Sequence, residues 1–316
     1  MEAPTIHIVG AGLTGLIAAH AFPTARVFEV SPTPVGTHNA VLRFRSELVA
    51  QLTGIEFRKV TVRKGVWIDG QFVRPSIQSA NWYSRKVVGR VLGDRSIWSL
   101  DPVDRWVAPE DFYDRLVAAV GNRAEFGTDY FREIFPPHAS PDHVISTIPL
   151  PALLEALNPK SPAPFEFNRS PISVQRYRLP AGTDAHQTVY FPSLHTPIYR
   201  ASITGSLLIV ESVPVKTDSH AFARQKSKEA AATAFGFSAA ELTPLDDVEQ
   251  RYGKIVPLPA EERKALLHSL TEGHSILSLG RFATWRNILL DDVVQDIAVL
   301  RRLMKASGYE RRMIAS

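Results

Sequence analysis

The sequence predicts an α/β fold in which a parallel sheet with flanking helices is interleaved with a smaller α+β domain. A glycine-rich turn joins an apolar strand to a helix at the start of the chain. A second strand–turn–helix pattern lies near the C-terminus, and alternating runs typical of β-strands lie between the two. Together these three observations predict the fold class.

Composition narrows the possible functions before any motif is considered. The chain has 316 residues, of which 45% are apolar and 22% are charged, as in globular proteins. It has no cysteine, which excludes disulfides, iron–sulfur clusters, thiolate zinc sites and cysteine nucleophiles. The ten histidines have no metal-ligand spacing, so no metal is expected. Since no apolar run approaches the ~20 residues of a membrane span and no signal peptide is visible, we expect a soluble cytoplasmic protein without a membrane partner.

The first element is a strand followed by a glycine motif. Thr5–Val9 is a short β-branched run, and Leu16–Ala21 has the apolar content of a helix. Between them the chain reads G-x-G-x-x-G, which in this context is the fingerprint of a Rossmann-type, dinucleotide-binding unit. Its members are Gly10, Ala11, Gly12, Leu13, Thr14 and Gly15.

Each glycine of the motif has a physical task. Gly10 permits a tight turn, Gly12 lets the backbone approach a pyrophosphate, and Gly15 lets the helix pack closely on the strand. The helix N-terminus offers N–H groups and a positive dipole end to the phosphates. Glu29 ends the second strand, Arg26–Val30, where its carboxylate would accept hydrogen bonds from ribose hydroxyls and repel a 2′-phosphate.

The second motif lies near the C-terminus. The run 275–282 predicts a strand that ends in Gly280-Arg281, and a helix follows from Leu290. Apolar residues at three- and four-residue intervals give that helix one buried face. Asp291 and Asp292 lie in its first turn, where the helix dipole favours negative charge.

These segments resemble the flavoprotein superfamily of amine oxidases, protoporphyrinogen oxidase and UDP-galactopyranose mutase. The resemblance implies non-covalently bound FAD as the cofactor. It further implies that Gly280 and Arg281 lie beside the FAD ribityl and pyrophosphate groups. The helix that carries Leu290 and Asp292 would point at the flavin pyrimidine, and Thr147, in the strand-like run 142–151, would lie near the adenine.

The predicted domains are discontinuous. The FAD-binding segments are expected at 1–50, 105–160 and 255–316, and the substrate-side segments at 51–104 and 161–254. Alternating runs at 56–62, 66–73, 187–192 and 206–211 indicate an antiparallel substrate sheet, with a hairpin turn at Asp69-Gly70. Helices are expected at 221–235 and 261–270.

Basic residues are concentrated in the first substrate-side part of the chain. From 41 to 105 there are 12 Lys and Arg against 6 Asp and Glu. This bias suits a phosphate-bearing partner, although basic residues also protect the exposed edges of sheets. The expected phosphate-binding residues are Arg43, Arg45, Arg85 and Lys86.

Three residues are candidates for the reaction itself. The segment 196–202 resembles the mutase-family segment that carries a substrate-contacting tyrosine and arginine, which here are Tyr199 and Arg200. An arginine at this place would orient a carboxylate or a phosphate. His38 follows the nucleotide-binding unit and is expected to face the flavin.

The sequence as a whole also resembles compact phage-encoded flavoproteins of thymidine hypermodification. This resemblance implies an FAD-dependent oxidoreductase or lyase that oxidises a C–N bond of an amine or amino acid. Its substrate would be a glycine-type adduct on thymidine in phage DNA, and the product an aminomethyl base. Two alternatives remain open: a flavin isomerase like UDP-galactopyranose mutase, and a non-catalytic flavoprotein that acts as a binding module.

Overall fold

The computed structural model describes residues 5–36, 41–93, 97–135, 142–158, 160, 165–214 and 219–305. In chain order the strands are β1 (Ile6–Val9), β2 (Arg26–Glu29), β3 (Arg43–Phe44), β4 (Arg58–Ile68), β5 (Gln71–Val73), β6 (Val103–Val107), β7 (Ala124–Phe126), β8 (His143–Ser146), β9 (Arg169–Arg178), β10 (Ala185–Tyr190), β11 (Ile198–Gly205), β12 (Leu207–Ser212), β13 (Thr243–Ile255) and β14 (Ile276–Ser278). The helices are α1 (Leu13–Ala21), α2 (Leu48–Thr53), α3 (Ile77–Val88), α4 (Phe112–Val120), α5 (Tyr130–Glu133), α6 (Leu150–Leu157), α7 (His220–Phe235), α8 (Ala260–His274) and α9 (Leu290–Lys305).

Five strands form a parallel sheet in the order β14-β8-β1-β2-β7. The central strand β1 pairs Ile8 with Ile145 of β8 on one side and with Val27 of β2 on the other. These strands are short and rich in buried apolar residues, because helices cover both faces of a parallel sheet. The predicted fold class, a Rossmann-type parallel sheet with an interleaved second domain, is confirmed.

Helices α1, α2, α4 and α9 share one hydrophobic core against this sheet. Leu16 and Ile17 of α1 are fully buried there, and α9 contributes Val293 and Ile297. The spacing of the two α9 residues matches the buried face that the sequence predicts. A second core, which contains the fully buried Trp285, packs under α6 and α8.

The second sheet has nine strands, in the order β13-β9-β12-β11-β10-β4-β6-β3, with β5 paired to β4. Helix α7 packs on one face, where its Ala231 and Ala232 share a core with Ala201 and Val210. Helix α3 packs on residues from the other face, such as Ile209. The strand β10, which lies near the middle, pairs antiparallel with β11 but parallel with β4.

Two expectations for this sheet need correction. The sheet is mixed, because the β4–β10 pair is parallel, where the sequence predicted antiparallel strands throughout. The two runs 56–62 and 66–73 are one continuous strand, β4, followed by the short strand β5. The turn between them is at Asp69 and Gly70, as predicted, with φ of 49° and 84°, the left-handed values that a tight hairpin turn requires.

All five strands of the parallel sheet come from the three segments expected to bind the nucleotide. Strand β3 lies in the first of those segments but pairs with β6 of the second sheet. The exact domain boundaries stay a prediction. Among the described residues, no helix is both long enough and apolar enough to span a membrane.

Candidate functional site

The glycine loop between β1 and α1 is tightly packed at two positions and open at the third. Gly10 has φ of 100°, and a Cβ there would lie 2.6 Å from Thr147 Oγ1. A Cβ on Gly15 would lie 1.9 Å from the carbonyl oxygen of Gly10, so α1 can approach the loop only with glycine there. A Cβ on Gly12 would meet nothing within 4 Å. The space in front of Gly12 is therefore free for a group that approaches the backbone.

The N-terminus of α1 faces this space. Gly12 is the N-cap residue, and the first intrahelical bond runs from the Leu16 N–H to the Gly12 carbonyl, 3.0 Å away. The N–H groups of the preceding turn, which includes Leu13 and Thr14, have no intrahelical acceptor. Together with the positive end of the helix dipole, they can bind an anion such as a pyrophosphate.

Glu29 lies at the end of β2 beside the same loop. Its Oε2 accepts a hydrogen bond of 2.7 Å from the Ala11 N–H, and its Oε1 accepts one of 3.0 Å from the Ser31 N–H. The Tyr113 hydroxyl donates to the Ala11 carbonyl at 3.2 Å. Each carboxylate oxygen keeps further lone pairs, so Glu29 is placed to accept from ribose hydroxyls.

Thr147 joins the end of β8 to the glycine loop. Its N–H donates to the Val9 carbonyl at 2.9 Å, and its hydroxyl lies 2.9 Å and 3.1 Å from the carbonyls of Val9 and Gly10. These contacts hold the start of the glycine loop, at Val9 and Gly10, against the end of β8. The expected proximity of Thr147 to an adenine stays a prediction.

The C-terminal motif lies against the N-terminal one. Gly280 has φ of 91°, and a Cβ there would lie 2.7 Å from Thr14 Cγ2. Arg281 follows, with its Nη2 3.5 Å from the carbonyl oxygen of Gly253 in β13. The segment after β14 thus contacts both parts of the fold: Gly280 lies against the start of α1, and Arg281 reaches β13, the edge strand of the second sheet.

The start of α9 holds the segment that follows β3. Asp291 is 5% exposed, and its Oδ1 accepts from the backbone N–H groups of Arg45 and Ser46 at 2.9 and 3.0 Å. Arg45 also forms an ion pair with Asp292, whose second oxygen accepts from the Leu289 N–H at 2.8 Å. Leu290 is half-buried beside these carboxylates. Arg45 of the first predicted FAD-binding segment therefore meets Asp292 of the third.

Arg43 reaches from β3 to the face of the second sheet opposite α7. Its Nη1 donates to Thr188 Oγ1 at 2.8 Å and its Nε to Thr204 Oγ1 at 3.0 Å. Its Nη2 donates to the carbonyls of Gln187 and Ile203. Arg43 forms no ion pair with a carboxylate in the part of the chain that the structure describes. Burial, with Arg200 as a nearby like charge, lowers its pKa to about 10.

Tyr199 and Arg200 share one buried carboxylate, Glu211. The Tyr199 hydroxyl donates to Glu211 Oε1 at 2.9 Å, and Arg200 forms a two-pronged ion pair with both oxygens. Burial alone would raise the pKa of Glu211, but the charge and hydrogen bonds of Arg200 hold it below its usual value. Burial and the Glu211 charge raise the pKa of Tyr199 well above its usual value. Tyr199 therefore stays a neutral phenol, and Arg200, whose side chain is 31% exposed, can still meet a ligand.

The remaining predicted site residues are Lys86, Arg85 and His38, and none of them is shown to contact the residues described above. Lys86, in the last turn of α3, donates to the carbonyls of Phe191 and Ser193 at 2.9 and 2.6 Å and lies 3.1 Å from Thr196 Oγ1. A phosphate contact by Lys86 would require these bonds to rearrange, whereas Arg85 is exposed. Both roles stay predictions. His38 lies outside the described residues.

The structure also shows two residues beside Tyr199 and Arg200 that the sequence does not single out, Glu211 and Lys254. Glu211 is a lone carboxylate in an apolar strand, a pattern that signals a buried partner but does not name it. Lys254 of β13 lies over the Tyr199 ring, with its Nζ 4.4 Å from the ring centroid. Among the residues that the structure describes, no group of three or more His, Cys, Asp or Glu could hold a metal ion.

The fold and the loop geometry define a class: a Rossmann-type α/β architecture shared with flavin-dependent enzymes. A crystal structure of reduced UDP-galactopyranose mutase matches with a TM-score of 0.65 and 16% identity, over 96% of this chain and 95% of that one. An oxidoreductase from Methanosarcina mazei matches with a TM-score of 0.60 and 11% identity, over 94% of this chain and all of that one.

A rebeccamycin biosynthetic enzyme with reduced flavin matches with a TM-score of 0.54 and 14% identity, over 95% of this chain and 60% of that one. At these identities the likeness is one of fold. No family model matches the sequence, and no curated protein matches it.

Proposed function

We propose that this protein is an FAD-dependent oxidoreductase. The observation that carries the proposal is the open space at Gly12, bounded by the N-terminus of α1 and, through Thr14, by Gly280. An added Cβ would fill that space, which is what a close approach of a pyrophosphate to the backbone requires. Bound FAD would supply an isoalloxazine that accepts or donates electrons in pairs.

The chain's own residues would hold the cofactor at three places. The N–H groups at the start of α1 bind the pyrophosphate, and Arg281 adds a positive charge on the same side. Glu29 accepts hydrogen bonds from the ribose next to the adenine. The start of α9, with Leu290 and Asp292, borders the flavin end of the cofactor.

For the substrate we propose an amine or amino acid whose C–N bond is oxidised. Arg200 is held in one orientation by Glu211 and would bind a substrate carboxylate with its exposed edge, while the neutral Tyr199 donates a hydrogen bond to the same Glu211 oxygen as Arg200 Nη2. The reacting amine must be unprotonated and shielded from water.

The carrier of this amino acid group would be DNA, as a glycine-type adduct on thymidine. The support is the basic bias of 41–105, which includes exposed residues of the second sheet and α3, such as Arg63 and Arg85. Exposed cations bind a phosphate backbone without reading its sequence. Arg45, which is exposed beside the start of α9, would contribute one such contact.

The second candidate is an isomerase that resembles UDP-galactopyranose mutase. The observation that favours it is the fold match to that enzyme over nearly the full length of both chains. In this case the arginines of the second sheet would bind a nucleoside diphosphate sugar, and the reduced protein would bind it more tightly than the oxidised protein.

The experiment that separates these candidates is anaerobic flavin spectroscopy on the purified, oxidised protein. DNA that carries the glycine adduct on thymidine is added in one sample and unmodified DNA in another. Bleaching of the flavin by the adduct alone supports C–N oxidation with DNA as the carrier.

The other outcomes discriminate as well. An unchanged flavin spectrum, with binding of a UDP-sugar by the dithionite-reduced protein, supports the isomerase instead. A third outcome is an unchanged spectrum, no binding of a UDP-sugar, and an affinity for DNA that is the same for oxidised and reduced flavin. This outcome supports a binding module without turnover. A colourless protein that FAD does not reconstitute contradicts the flavin assignment itself.

A further inference from the structure

Helix α3 and the residues on either side of it form a stretch of chain without negative charge. From 71 to 93 there are four Lys and Arg and no Asp or Glu. Helix α3 lies in the middle of this stretch. The formal net charge of the whole chain is only +4, so the positive charge here belongs to one element of the fold.

The two ends of α3 are fixed, and one of its faces is buried. The Ser76 hydroxyl accepts a hydrogen bond of 3.1 Å from the Ser79 N–H, and Gly89, with φ of 77°, ends the helix. Tyr83 and Val87 pack in the core of the second sheet. Since the packing and the caps hold the helix, its other face is a regular and rigid surface.

The other face of α3 carries polar and basic side chains. Gln78, Asn81 and Arg85 follow one another at intervals of three and four residues, which places them on one side of the helix. Gln78 and Arg85 are exposed, and Asn81 is half-buried. Arg74 lies before the helix and Arg90 after it, and both are exposed. Because α3 has 12 residues and is ~18 Å long, the arginines are spread along an extended surface.

The three arginines of this surface have no acidic partner. In the part of the chain that the structure describes, Arg74, Arg85 and Arg90 form no ion pair with a carboxylate. Three exposed arginines of the first sheet and its helices are each paired instead: Arg26 with Glu125, Arg115 with Asp111, and Arg132 with Asp129. A guanidinium without a carboxylate neighbour keeps its donors and its charge for an external anion.

We propose that the exposed face of α3, from Arg74 to Arg90, binds DNA. The three arginines contact phosphates of the backbone. The amides of Gln78 and Asn81 form hydrogen bonds with the same strand, since an amide both donates and accepts. This inference rests on the proposed function, in which DNA carries the substrate, and adds to it the surface that binds the carrier.

The test is fluorescence anisotropy of a labelled, unmodified DNA duplex with the FAD-reconstituted full chain at several salt concentrations. The triple variant Arg74→Gln, Arg85→Gln, Arg90→Gln is expected to lose at least about tenfold in affinity. Its salt dependence should also be weaker, because each phosphate contact contributes about 0.9 to the slope of log K against log salt.

A charge-matched variant is the control. Arg26→Gln, Arg115→Gln and Arg132→Gln together remove three exposed positive charges from elsewhere on the protein. The net charge changes by the same amount as in the α3 variant, but we expect the affinity to change by less than about threefold and the salt slope to stay the same. Equal losses in the two triple variants would indicate attraction by overall charge and overturn the proposal.

A cross-linking experiment locates the surface without any variant. In DNA with 5-bromodeoxyuridine in place of thymidine, irradiation should attach the wild-type protein mainly through the peptide 74–90. This peptide includes the half-buried Trp82, which lies one helical turn after Gln78. Mass spectrometry of the digested adduct identifies the peptide, and cross-links confined to other peptides would overturn the proposal.

The remaining outcomes separate this proposal from the flavin chemistry. Absence of DNA binding by the wild type would overturn it together with DNA as the carrier. Anionic lipid vesicles that bind in place of DNA, and that the α3 variant alone fails to bind, would overturn it in favour of a membrane surface. None of these readouts requires turnover, so DNA binding through α3 would support this proposal even where the adduct leaves the flavin spectrum unchanged.

Discussion

Gly12 and Gly15 belong to one turn, yet an added methyl group would meet different surroundings at each. At Gly12 it enters open space, and the backbone there, with φ of −69° and ψ of 175°, suits any residue. At Gly15 it overlaps the carbonyl oxygen of Gly10. Gly12 therefore leaves room for the proposed cofactor, and Gly15 allows the close contact of α1 with the glycine loop.

We predict opposite effects for the two alanine variants. Gly12→Ala should unfold close to the wild-type temperature without FAD and lose FAD binding by at least about tenfold, because its methyl group occupies the pyrophosphate position. Gly15→Ala should lose at least about 3 kcal/mol of unfolding free energy, because backbone must move. Thermal unfolding and flavin content after reconstitution measure both. A Gly12→Ala protein that retains yellow colour in full would contradict the placement of the cofactor.

Lys86 gives a prediction for the pH dependence of stability. Burial lowers its pKa to about 7 from its ordinary value of 10.5. Between these values the unfolded chain binds more protons at this residue than the folded chain, so the free energy of unfolding rises with pH. Below the folded pKa both states are protonated, and the contribution no longer changes. The slope from Lys86 can reach about 1.4 kcal/mol per pH unit.

The measurement is urea unfolding at several pH values from about 7 to 10. In Lys86→Met the rise of stability over this interval should be smaller than in the wild type. Lys59→Met, which changes a 57% exposed lysine, should leave the wild-type slope unchanged. Equal slopes for all three proteins would show that Lys86 titrates alike in both states.

Single residues differ in how well the sequence predicts them. The close packing at Gly10 and Gly15, and the position of Glu29 beside the glycine loop, follow from their spacing, because the motif lies within one strand–turn–helix unit. The pairing of Arg200 with Glu211 follows from the register of β11 on β12, which pattern alone does not fix. The same holds for Arg43, whose partners lie more than a hundred positions away in the chain.

Among the secondary-structure elements, β3 and the start of α9 connect the two sheets. β3 pairs with β6 of the second sheet, while the next residues, Arg45 and Ser46, donate their N–H groups to Asp291. Because Asp291 is nearly inaccessible, these bonds are made without competition from water. The carboxylates of Asp291 and Asp292 at the start of α9 thus hold the segment that follows β3.

We predict that Asp291→Ala lowers the free energy of unfolding by about 2–4 kcal/mol, because it leaves buried donors without acceptors. Asp111→Ala, which removes an exposed i,i+4 pair with Arg115, should cost less than about 0.5 kcal/mol. Chemical denaturation compares the two. If the two variants lose the same free energy of unfolding, the contact of Asp291 with residues 45–46 does not hold α9 in place.

The contact of Gly280 with Thr14 joins the segment after β14 to α1, and it gives a second prediction about how the secondary-structure elements pack. Gly280→Ala should destabilise the protein by about 2–4 kcal/mol, through both its positive φ and the close approach of the new methyl to Thr14. Thr14→Ala removes the atoms that the methyl meets, so the double variant should recover part of the loss. Additive effects in the double-mutant cycle would mean that the two residues do not touch.

Helices and strands were predictable where their pattern is local. Strand β1, helix α9 and the Asp69-Gly70 turn each have a clear period or turn signal. Helix α3 was not predicted, since Ile77–Val88 is rich in serine, asparagine and aromatic residues of weak helix propensity. Packing of Tyr83 and Val87 on the second sheet stabilises it instead. The continuity of β4 was hidden by Gly65, which Phe72 covers.

For the whole molecule, we predict that FAD stabilises both sheets together. A ligand that binds the folded state alone adds about 2.7 kcal/mol to the free energy of unfolding at a hundredfold excess over its dissociation constant. Because β3, β13 and α9 join the sheets, a single unfolding transition should shift. Calorimetry with and without FAD measures it, with Gly12→Ala as the control that should not respond. Two transitions, of which FAD moves one, would contradict the coupling.

The strand order β14-β8-β1-β2-β7 has a consequence for biosynthesis. Strands β1 and β8 leave the ribosome before β14, Gly280 and α9, which follow them in the chain. Until then β8 is an open edge that could pair with other chains, and the glycine loop lacks one of its walls. The nascent protein is therefore exposed to aggregation at this edge until β14 has been made, and the proposed cofactor can be enclosed only after that step.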